Sequence, residues 1–272
     1  MGSVFSPYYA WSGRQDPDNH CAINVALYGR PGARWAMTER GADRVCRARD
    51  LLRVGPSVVR WDGSELVIDV DEICAPVPKR ICGQIRITPR AYTCQSFALD
   101  AATRHWWQPI APRTRVEVNL SEPDLRWSGE GYLDSNRGDE PLEAGFQNWT
   151  WSRSHGTGGA VVLYDAVRRD GSASSLALRI DNSGTIRMED APPRITLPST
   201  YWRINRETRA DECRPAIVRK TLEDTPFYAR SLVESHLFGE RAMAFHESLR
   251  LDRFQSQWVR LMLPFRMPRA LW

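Results

Sequence analysis

Four side chains at alternate positions of two short segments could together do acid chemistry. His105 and Trp107 lie two residues apart in the segment RHWWQ. Tyr132 and Asp134 lie two residues apart in the segment WSGEGYLD. Side chains two apart point to the same face of a β-strand, so each pair shares a face if its segment is a strand. Two such strands facing one site would bring an imidazole, an indole, a phenol and a carboxyl group together.

The same residues also have structural interpretations. A single histidine on a strand is more often a hydrogen-bonded structural residue, and Asp134, followed by Ser-Asn-Arg-Gly, could begin an Asx-type turn. Strict alternation would add Glu130 to the face of Asp134, although Gly129 and Gly131 are typical of a β-bulge. Spacing alone therefore leaves the catalytic and the structural interpretations open.

Sites that depend on a metal or a cofactor are disfavoured by the sequence. A calcium loop starting at Asp134 fails, because Gly138 and Gly145 occupy positions that need oxygen ligands. The chain has no G-x-S-x-G, glycine-rich phosphate loop or H-E-x-x-H motif. Its cysteines form no C-x-x-C pair and are expected to be reduced core residues of a cytosolic protein: Cys21, Cys46, Cys74, Cys82, Cys94 and Cys213. We expect neither cofactor nor metal.

The elements that must position these residues are mostly strands. Period-two alternation, separated by turn signals such as Asp170-Gly171, predicts an all-β protein of sandwich or barrel type. Pro226–Leu237 fits a helix or a strand. Residues 110–113 are the best candidate for a domain junction, which predicts domains 1–113 and 114–272. The predicted strands are Ala22–Tyr28, Arg34–Glu39, Ser57–Trp61, Glu65–Asp71, Ile81–Thr88, Arg115–Leu120, Val161–Ala166, Ser175–Ile180 and Gln257–Leu263.

Composition narrows the class of protein further. The formal net charge is +4, nearly all of the positive charge is arginine, and no basic run is interleaved with aromatic residues. We therefore do not expect nucleic-acid binding. The 11 Trp, 8 Tyr and 8 Phe suit β cores and the walls of an apolar site. We see no signal peptide and no apolar stretch of the ~18 residues needed to span a bilayer.

Five segments, taken together, resemble a known family. They are Phe5–Arg14, Trp35–Gly41, Ser96–Ala101, His105–Pro112 and Trp127–Asn136. In these segments the chain is similar to the bacterial carotenoid 1,2-hydratases, also called hydroxyneurosporene synthases, and the segments follow in family order over at least the first 165 residues. Members of that family carry further residues before Gly2, including an aromatic-rich strand, so the first domain is expected to be truncated at its N-terminus.

The resemblance implies a fold and an activity. It implies two tandem lipocalin-like β-barrel domains and a cofactor-independent hydration of the terminal C1–C2 double bond of acyclic carotenoids such as neurosporene, lycopene or 1-hydroxy derivatives. The family's functional positions fall on His105, Trp107, Tyr132 and Asp134, with Asp134 as proton donor. Arg126 and Glu130 could tune Asp134. The oligomeric state is left open.

Two other functions compete with hydration. A protonation-initiated terpenoid cyclase would use the same acid but capture the cation with an internal alkene. A non-catalytic lipocalin-like carrier would bind carotenoids or other lipids without turnover, and a glycan-binding β module is a more distant alternative.

A polyene substrate resides in the membrane, so we also expect peripheral contact of a cytoplasmic protein with the inner, photosynthetic membrane. Exposed arginines and the C-terminal residues Trp258, Phe265, Met267 and Trp272 are the candidate contacts. The alternative is that this segment is a terminal strand packed on the barrel.

Overall fold

The computed structural model describes residues 5–29 and 32–270. Within them the chain forms nineteen strands and a few short helices. The strands are β1 Asn24–Leu27, β2 Arg34–Met37, β3 Val45–Arg47, β4 Leu51–Val54, β5 Ser57–Trp61, β6 Leu66–Ile73, β7 Arg80–Pro89, β8 Phe97–Ala98, β9 His105–Glu122, β10 Leu125–Gly138, β11 Phe146–Gly156, β12 Gly159–Arg168, β13 Ala173–Asp181, β14 Ile186–Met188, β15 Arg194–Leu197, β16 Arg206–Arg209, β17 Ile217–Asp224, β18 Tyr228–Leu237 and β19 Glu240–Arg250.

The helices are all of six residues or fewer. None of the helices among the described residues has the length and apolar character needed to cross a bilayer. The α-helices are α1 Pro7–Trp11, α2 Leu142–Gly145, α3 Leu251–Phe254 and α4 Gln257–Met262, and 3-10 turns occur at Pro17–His20, Ala42–Arg44 and Leu263–Phe265.

The chain divides into two compact units, and the first comprises residues 1–89, 114–131 and 260–272. Its strands β3 to β7 form a continuous antiparallel series, and β7 pairs in turn with residues 114–122 of β9. Strands β1 and β2 form a separate antiparallel pair. The buried core of this unit consists of Cys21, Ile23, Val25, Ala36, Leu52, Val54, Val70, Cys74, Ile81, Val118 and Leu120.

The second unit comprises residues 90–113 and 132–259. Its main element is a seven-stranded sheet in the order β14-β13-β12-β11-β19-β18-β17, and the neighbouring strands are antiparallel. Burial alternates at every residue of β18, as expected for a strand whose two faces differ in environment. The first part of β9 and the last part of β10 also belong to this unit, and they carry His105, Trp107, Tyr132 and Asp134.

One face of the seven-stranded sheet is fixed by an arginine–aspartate ion pair and by an arginine–serine hydrogen bond, both largely buried. Arg209 on β16 donates from Nε and Nη2 to the two carboxylate oxygens of Asp165 on β12, at 2.9 and 2.6 Å. Arg206 donates from Nη1 to the hydroxyl oxygen of Ser231 on β18, at 2.8 Å. Because neighbouring side chains of a strand point to opposite faces, Tyr164 next to Asp165 lies on the other face. The β15–β16 hairpin therefore covers one face and leaves the other for the site.

Most of the predicted strands are confirmed, and one is wrong. Gln257–Leu263 is helical over Gln257–Met262, with Val259 and Leu263 buried four residues apart. Side chains four residues apart lie on the same face of a helix. The segment is too short for this period to be recognised from the sequence. Pro226–Leu237, which fitted either structure, contains strand β18.

Two further expectations are tested by the fold. The six cysteines are free, but Cys46, Cys94 and Cys213 are exposed, so the expectation of core cysteines is wrong for these three. Strand β9 runs without a break through residues 110–113. The predicted boundary between domains at residues 113 and 114 stays a prediction.

Candidate active site

The site is built on one face of the seven-stranded sheet. Trp149, Trp151 and Arg153 alternate along β11 and therefore share this face. Residues directly opposite in neighbouring antiparallel strands also share a face, and Trp151 pairs with Tyr164 of β12 and with Glu247 of β19. We call this set the aromatic face, which consists of Trp149, Trp151, Arg153, Tyr164, Phe245 and Glu247.

Strand β10 brings Tyr132 against the aromatic face. The ring of Tyr132 lies 5.6 Å from that of Trp151, and the guanidinium of Arg153 stacks over it at 5.1 Å from the ring centroid. The Arg153 guanidinium also lies 5.2 Å from the centroid of the Phe245 ring. Contacts of this kind hold a cation by the negative potential of the ring face. Arg153 is therefore held against two aromatic rings.

The carboxyl group of Asp134 lies within this aromatic cluster. Trp107 on β9 is fully buried and donates from Nε1 to Oδ2 of Asp134, at 2.8 Å. The Trp107 ring also packs 5.6 Å from Tyr164 and 5.7 Å from Phe97. The structure thus brings three of the four predicted residues, Trp107, Tyr132 and Asp134, into one cluster.

Burial raises the pKa of Asp134 from its ordinary value to about 6. The negative charge of Glu247 acts in the same direction, whereas the Trp107 hydrogen bond, Arg153 and the Tyr132 hydroxyl lower the pKa. The Tyr132 hydroxyl has no hydrogen-bond partner of ordinary geometry within residues 5–29 and 32–270, although it lies near enough to act on Asp134. Burial also raises the pKa of Tyr132 and keeps this phenol neutral.

His105, the fourth predicted residue, is held by other groups. Its Nδ1 lies 3.2 Å from Oδ2 of Asp100, and its ring packs edge-on against Phe146 at 4.8 Å. Burial raises the pKa of Asp100, but the backbone N–H groups of Arg104 and His105, with the His105 ring, lower it by more. Asp100 therefore orients the imidazole, and its Nε2 is buried with no hydrogen-bond partner in the described part of the chain.

Two glycines make room for the imidazole of His105. A Cβ atom on Gly138 would lie 2.7 Å from Cδ2 of His105, and one on Gly145 would lie 2.9 Å from its Cε1. Both separations are shorter than real Cβ contacts allow. The glycines that argued against a calcium loop thus have a packing role beside His105.

Sequence reasoning missed Arg153, Tyr164 and Glu247. The sequence did carry a signal for Arg153, since Trp149, Trp151 and Arg153 alternate in the segment NWTWSR. Glu247 carried no such signal, because its place opposite Trp151 depends on the pairing of β11 with β19, almost a hundred residues later. Arg126 and Glu130, proposed to tune Asp134, are exposed residues of β10.

The described residues hold no group of three or more His, Cys, Asp and Glu side chains arranged to bind a metal ion. The polar groups around Asp134 instead include the carboxyl of Glu247, the indole N–H of Trp107, the phenols of Tyr132 and Tyr164 and the guanidinium of Arg153. Groups of this kind can donate protons and stabilise charge.

The raised pKa of Asp134 has a consequence for stability. The pKa is about 6 in the folded chain and ~3.9 in an unfolded one, so the folded state binds this proton more tightly. The free energy of unfolding should therefore fall as the pH rises between these values, by about 3 kcal/mol in all. Asp134→Asn removes the titration, so this variant should gain stability over the wild type as the pH rises from 4 to 8. Denaturant unfolding across this range measures the difference.

The matched control for this measurement is Asp139→Asn, which changes an exposed aspartate just after β10. The control should follow the wild type across the whole range. If the free energies of unfolding of Asp134→Asn and the wild type differed by the same amount at every pH from 4 to 8, a raised pKa of Asp134 would be contradicted.

Comparison with known proteins places this site in a family. The model of the carotenoid hydratase CrtC family matches residues 1–272. The chain is 58% identical to an acyclic carotenoid 1,2-hydratase of Thiocapsa roseopersicina and 48% identical to one of Rubrivivax gelatinosus, over 99% of this chain and 68% of each relative. It is 43% identical to the acyclic carotenoid 1,2-hydratase of Cereibacter sphaeroides, over 99% of this chain and 96% of that protein.

The fold is also found in a solved structure. The crystal structure of a candidate AttH protein from Nitrosomonas europaea matches with a TM-score of 0.54 at 13% identity, over 84% of this chain and 85% of that one. At this identity the likeness shows the fold alone, and the all-β, lipocalin-like class predicted from the sequence is confirmed. With the full-length family match, the chain belongs to the carotenoid hydratase CrtC family and is an enzyme of the hydro-lyase class.

Proposed function

We propose that this enzyme adds water across the terminal C1–C2 double bond of an acyclic carotenoid, with neurosporene, lycopene or a 1-hydroxy derivative as substrate. The observation that carries the proposal is the buried Asp134 carboxyl among aromatic rings, with its pKa raised to about 6. The names of the relatives support the reaction class. The geometry of the cluster supports the mechanism.

The first step is protonation of the alkene by Asp134. An alkene is a very weak base, so the acid must be present in its neutral form. An ordinary aspartic acid, with a pKa of ~3.9, would be about 0.1% protonated at pH 7. With a pKa of about 6, roughly a tenth of Asp134 carries its proton at that pH. Turnover should therefore fall about tenfold for each pH unit above the pKa of Asp134.

Trp107 determines which oxygen of Asp134 carries the proton. The indole N–H can only donate, and it donates to Oδ2. Oδ2 is therefore an acceptor, and the acidic proton belongs on Oδ1. We propose that Oδ1 gives this proton to C2, which leaves a tertiary cation at C1.

The aromatic rings stabilise the cation without trapping it. A face of the Tyr132 ring can contribute ~0.5–2 kcal/mol to a cation placed against it, whereas Trp107 is fully buried and acts through its indole N–H. One face of Tyr132 is already covered by the Arg153 guanidinium, so the substrate can use only the opposite face. The stabilisation of the cation by an aromatic ring is small compared with the acceleration that an enzyme provides. The positioning of the alkene, the acid and one water must therefore supply much of the rest.

Capture by water completes the reaction. The oxygen of one water bonds to C1, and the same water loses a proton, giving a tertiary alcohol. That proton returns to the Asp134 carboxylate or passes to His105. His105 is suited to accept it, because a neutral ring that donates from Nδ1 to Asp100 presents Nε2 as an acceptor.

Product mass tests the proposed reaction. Incubation with lycopene and with neurosporene under anoxic conditions should give products heavier than the substrate by one water for each end hydrated. A product of unchanged mass would indicate a cyclase, and binding without any product would indicate a carrier.

We also propose that the enzyme meets its substrate at a membrane surface. Trp258 on α4 is 49% exposed and Phe265 is 72% exposed, whereas Met267 is buried. Trp272, the fourth residue of the sequence-based prediction, lies outside the described residues. Exposed Trp and Phe side chains insert at the boundary between the headgroups and the acyl chains of bilayers, next to the hydrocarbon core in which acyclic polyenes reside. The buried Met267 has a packing role instead.

Replacing Trp258 and Phe265 together by serine should weaken binding to phospholipid vesicles by about tenfold or more, since each apolar side chain contributes ~1.5–3 kcal/mol when it leaves water. Cosedimentation with vesicles measures this. The control is Met188→Ser, at a side chain of similar exposure on β14. Equal binding by the double variant, the control and the wild type would contradict the assignment.

A further inference from the structure

A second carboxylate, Glu247, belongs to the aromatic face. Glu247 on β19 lies directly opposite Trp151 of β11, and Trp151 is itself opposite Tyr164 of β12. Tyr132 packs on the same Trp151 ring at 5.6 Å, two residues from Asp134 on the same face of β10. Glu247 and Asp134 thus reach the same aromatic face from different strands, near enough for the charge of Glu247 to act on Asp134.

Glu247 has a counter-ion of its own. Arg230, directly opposite it on β18, donates from Nε and Nη2 to Oε1 of Glu247, at 3.0 and 2.7 Å. Both side chains are about three-quarters buried. Such a two-nitrogen contact favours the ionised carboxylate. Within residues 5–29 and 32–270, the hydrogen bond that Asp134 accepts comes instead from the neutral indole of Trp107.

Two carboxyl groups in one poorly solvated site do not ionise equally. When one is charged, the second is more difficult to deprotonate. Glu247 is the member of this pair that has an arginine counter-ion. We propose that Glu247, paired with Arg230, is a positioning residue that holds Asp134 in its acid form for the hydration. This inference rests on the proposed function.

Some of the other groups around Asp134 raise its pKa, and others lower it. Burial has the largest effect, and the charge of Glu247 adds to it. Arg153 opposes both, and its guanidinium lies over the rings of Tyr132 and Phe245. The titratable and charged groups on the surrounding strands are His105 on β9, Tyr132 on β10, Arg153 on β11, Tyr164 on β12, Arg230 on β18 and Glu247 on β19.

The test is the pH profile of Glu247→Gln, which keeps the shape and an oxygen for Arg230 but removes the charge. The alkaline limb of the kcat profile should move to lower pH by roughly 0.5–1 unit, so kcat at pH 8 falls roughly three- to tenfold. The kcat at pH 5 and the KM should stay unchanged. Glu247→Asp keeps the charge and should restore the wild-type profile.

The matched control is Glu234→Gln, since Glu234 on β18 is also ion-paired, with Arg219 and Arg241. Its pH profile should equal that of the wild type. An unshifted profile for Glu247→Gln would overturn the proposal, as would an equal shift in the control. If Glu247→Gln does not fold, Glu247→Met, of similar volume, has the same expected shift.

A substrate-free titration separates this inference from the proposed function. The carboxyl carbon of Asp134, followed by NMR, should titrate at lower pH in Glu247→Gln than in the wild type. If it does and no carotenoid is hydrated, the electrostatic coupling stands and the function is wrong. If hydration proceeds and the titration does not move, the coupling is wrong.

Discussion

Asp134→Asn is expected to abolish the hydration of acyclic carotenoids while leaving the fold and carotenoid binding intact. The amide oxygen can still accept the Trp107 hydrogen bond, so the local packing is kept. The amide cannot give a proton to carbon. General-acid assistance contributes roughly 10²–10⁴-fold, and we expect a loss of at least this size. The measurement is the rate of product formation from lycopene or neurosporene.

The control for this variant is again Asp139→Asn, which should hydrate at the wild-type rate. Carotenoid binding by Asp134→Asn, followed by the absorption spectrum, shows that the substrate still reaches the site. Turnover by Asp134→Asn within a few-fold of the wild type would remove Asp134 from the mechanism.

Trp107→Ala should have the second largest effect, because it removes both packing and a hydrogen bond. Trp107 is fully buried between Phe97 and Tyr164. Truncation of such a side chain costs about 3–5 kcal/mol of stability. It also frees Asp134 to rotate, so hydration should be slowed strongly. Chemical denaturation and the hydration rate measure the two effects.

Trp107→Phe separates packing from hydrogen bonding. Phenylalanine keeps a buried ring but cannot donate to Oδ2 of Asp134. That hydrogen bond lowers the pKa of Asp134, so its loss should move the alkaline limb of the pH profile upward. The maximum rate should still fall, since the carboxyl is no longer oriented. A variant with the wild-type rate and profile would show that Trp107 only packs.

The variants at Trp107 and Glu247 give opposite shifts. Loss of the indole donor raises the pKa of Asp134, whereas loss of the Glu247 charge lowers it. A general loss of structure would not move the two profiles in opposite directions. The pair therefore distinguishes electrostatic control of Asp134 from indirect damage to the fold.

The local pattern of the sequence predicted much of the site. Alternation along β9 and β10 put Trp107 and Asp134 on shared faces with His105 and Tyr132, and both segments are strands. What alternation could not provide is the pairing of strands distant in sequence. Glu247 acts on Asp134 only because β19 pairs with β11. The register of this pairing cannot be inferred from the sequence of either strand alone.

The wrong strand prediction and the contacts of His105, which the sequence did not predict, have related physical causes. The segment Gln257–Leu263 is too short for its apolar residues to distinguish a strand from a helical turn, and its first six residues form α4. His105 shares a strand face with Trp107, but the side chain is held by Asp100 and Phe146. A shared face limits the direction of a side chain, whereas its partners are fixed by loops such as the one that carries Asp100.

The most direct test of the account is the titration of the Asp134 carboxyl in the substrate-free wild type, followed by NMR of its side-chain carbon. The signal is assigned by its absence in Asp134→Asn. The account predicts a midpoint at about pH 6. A midpoint at ~3.9, the value of an ordinary aspartic acid, would mean that Asp134 is ionised at neutral pH and cannot be the acid that protonates the alkene.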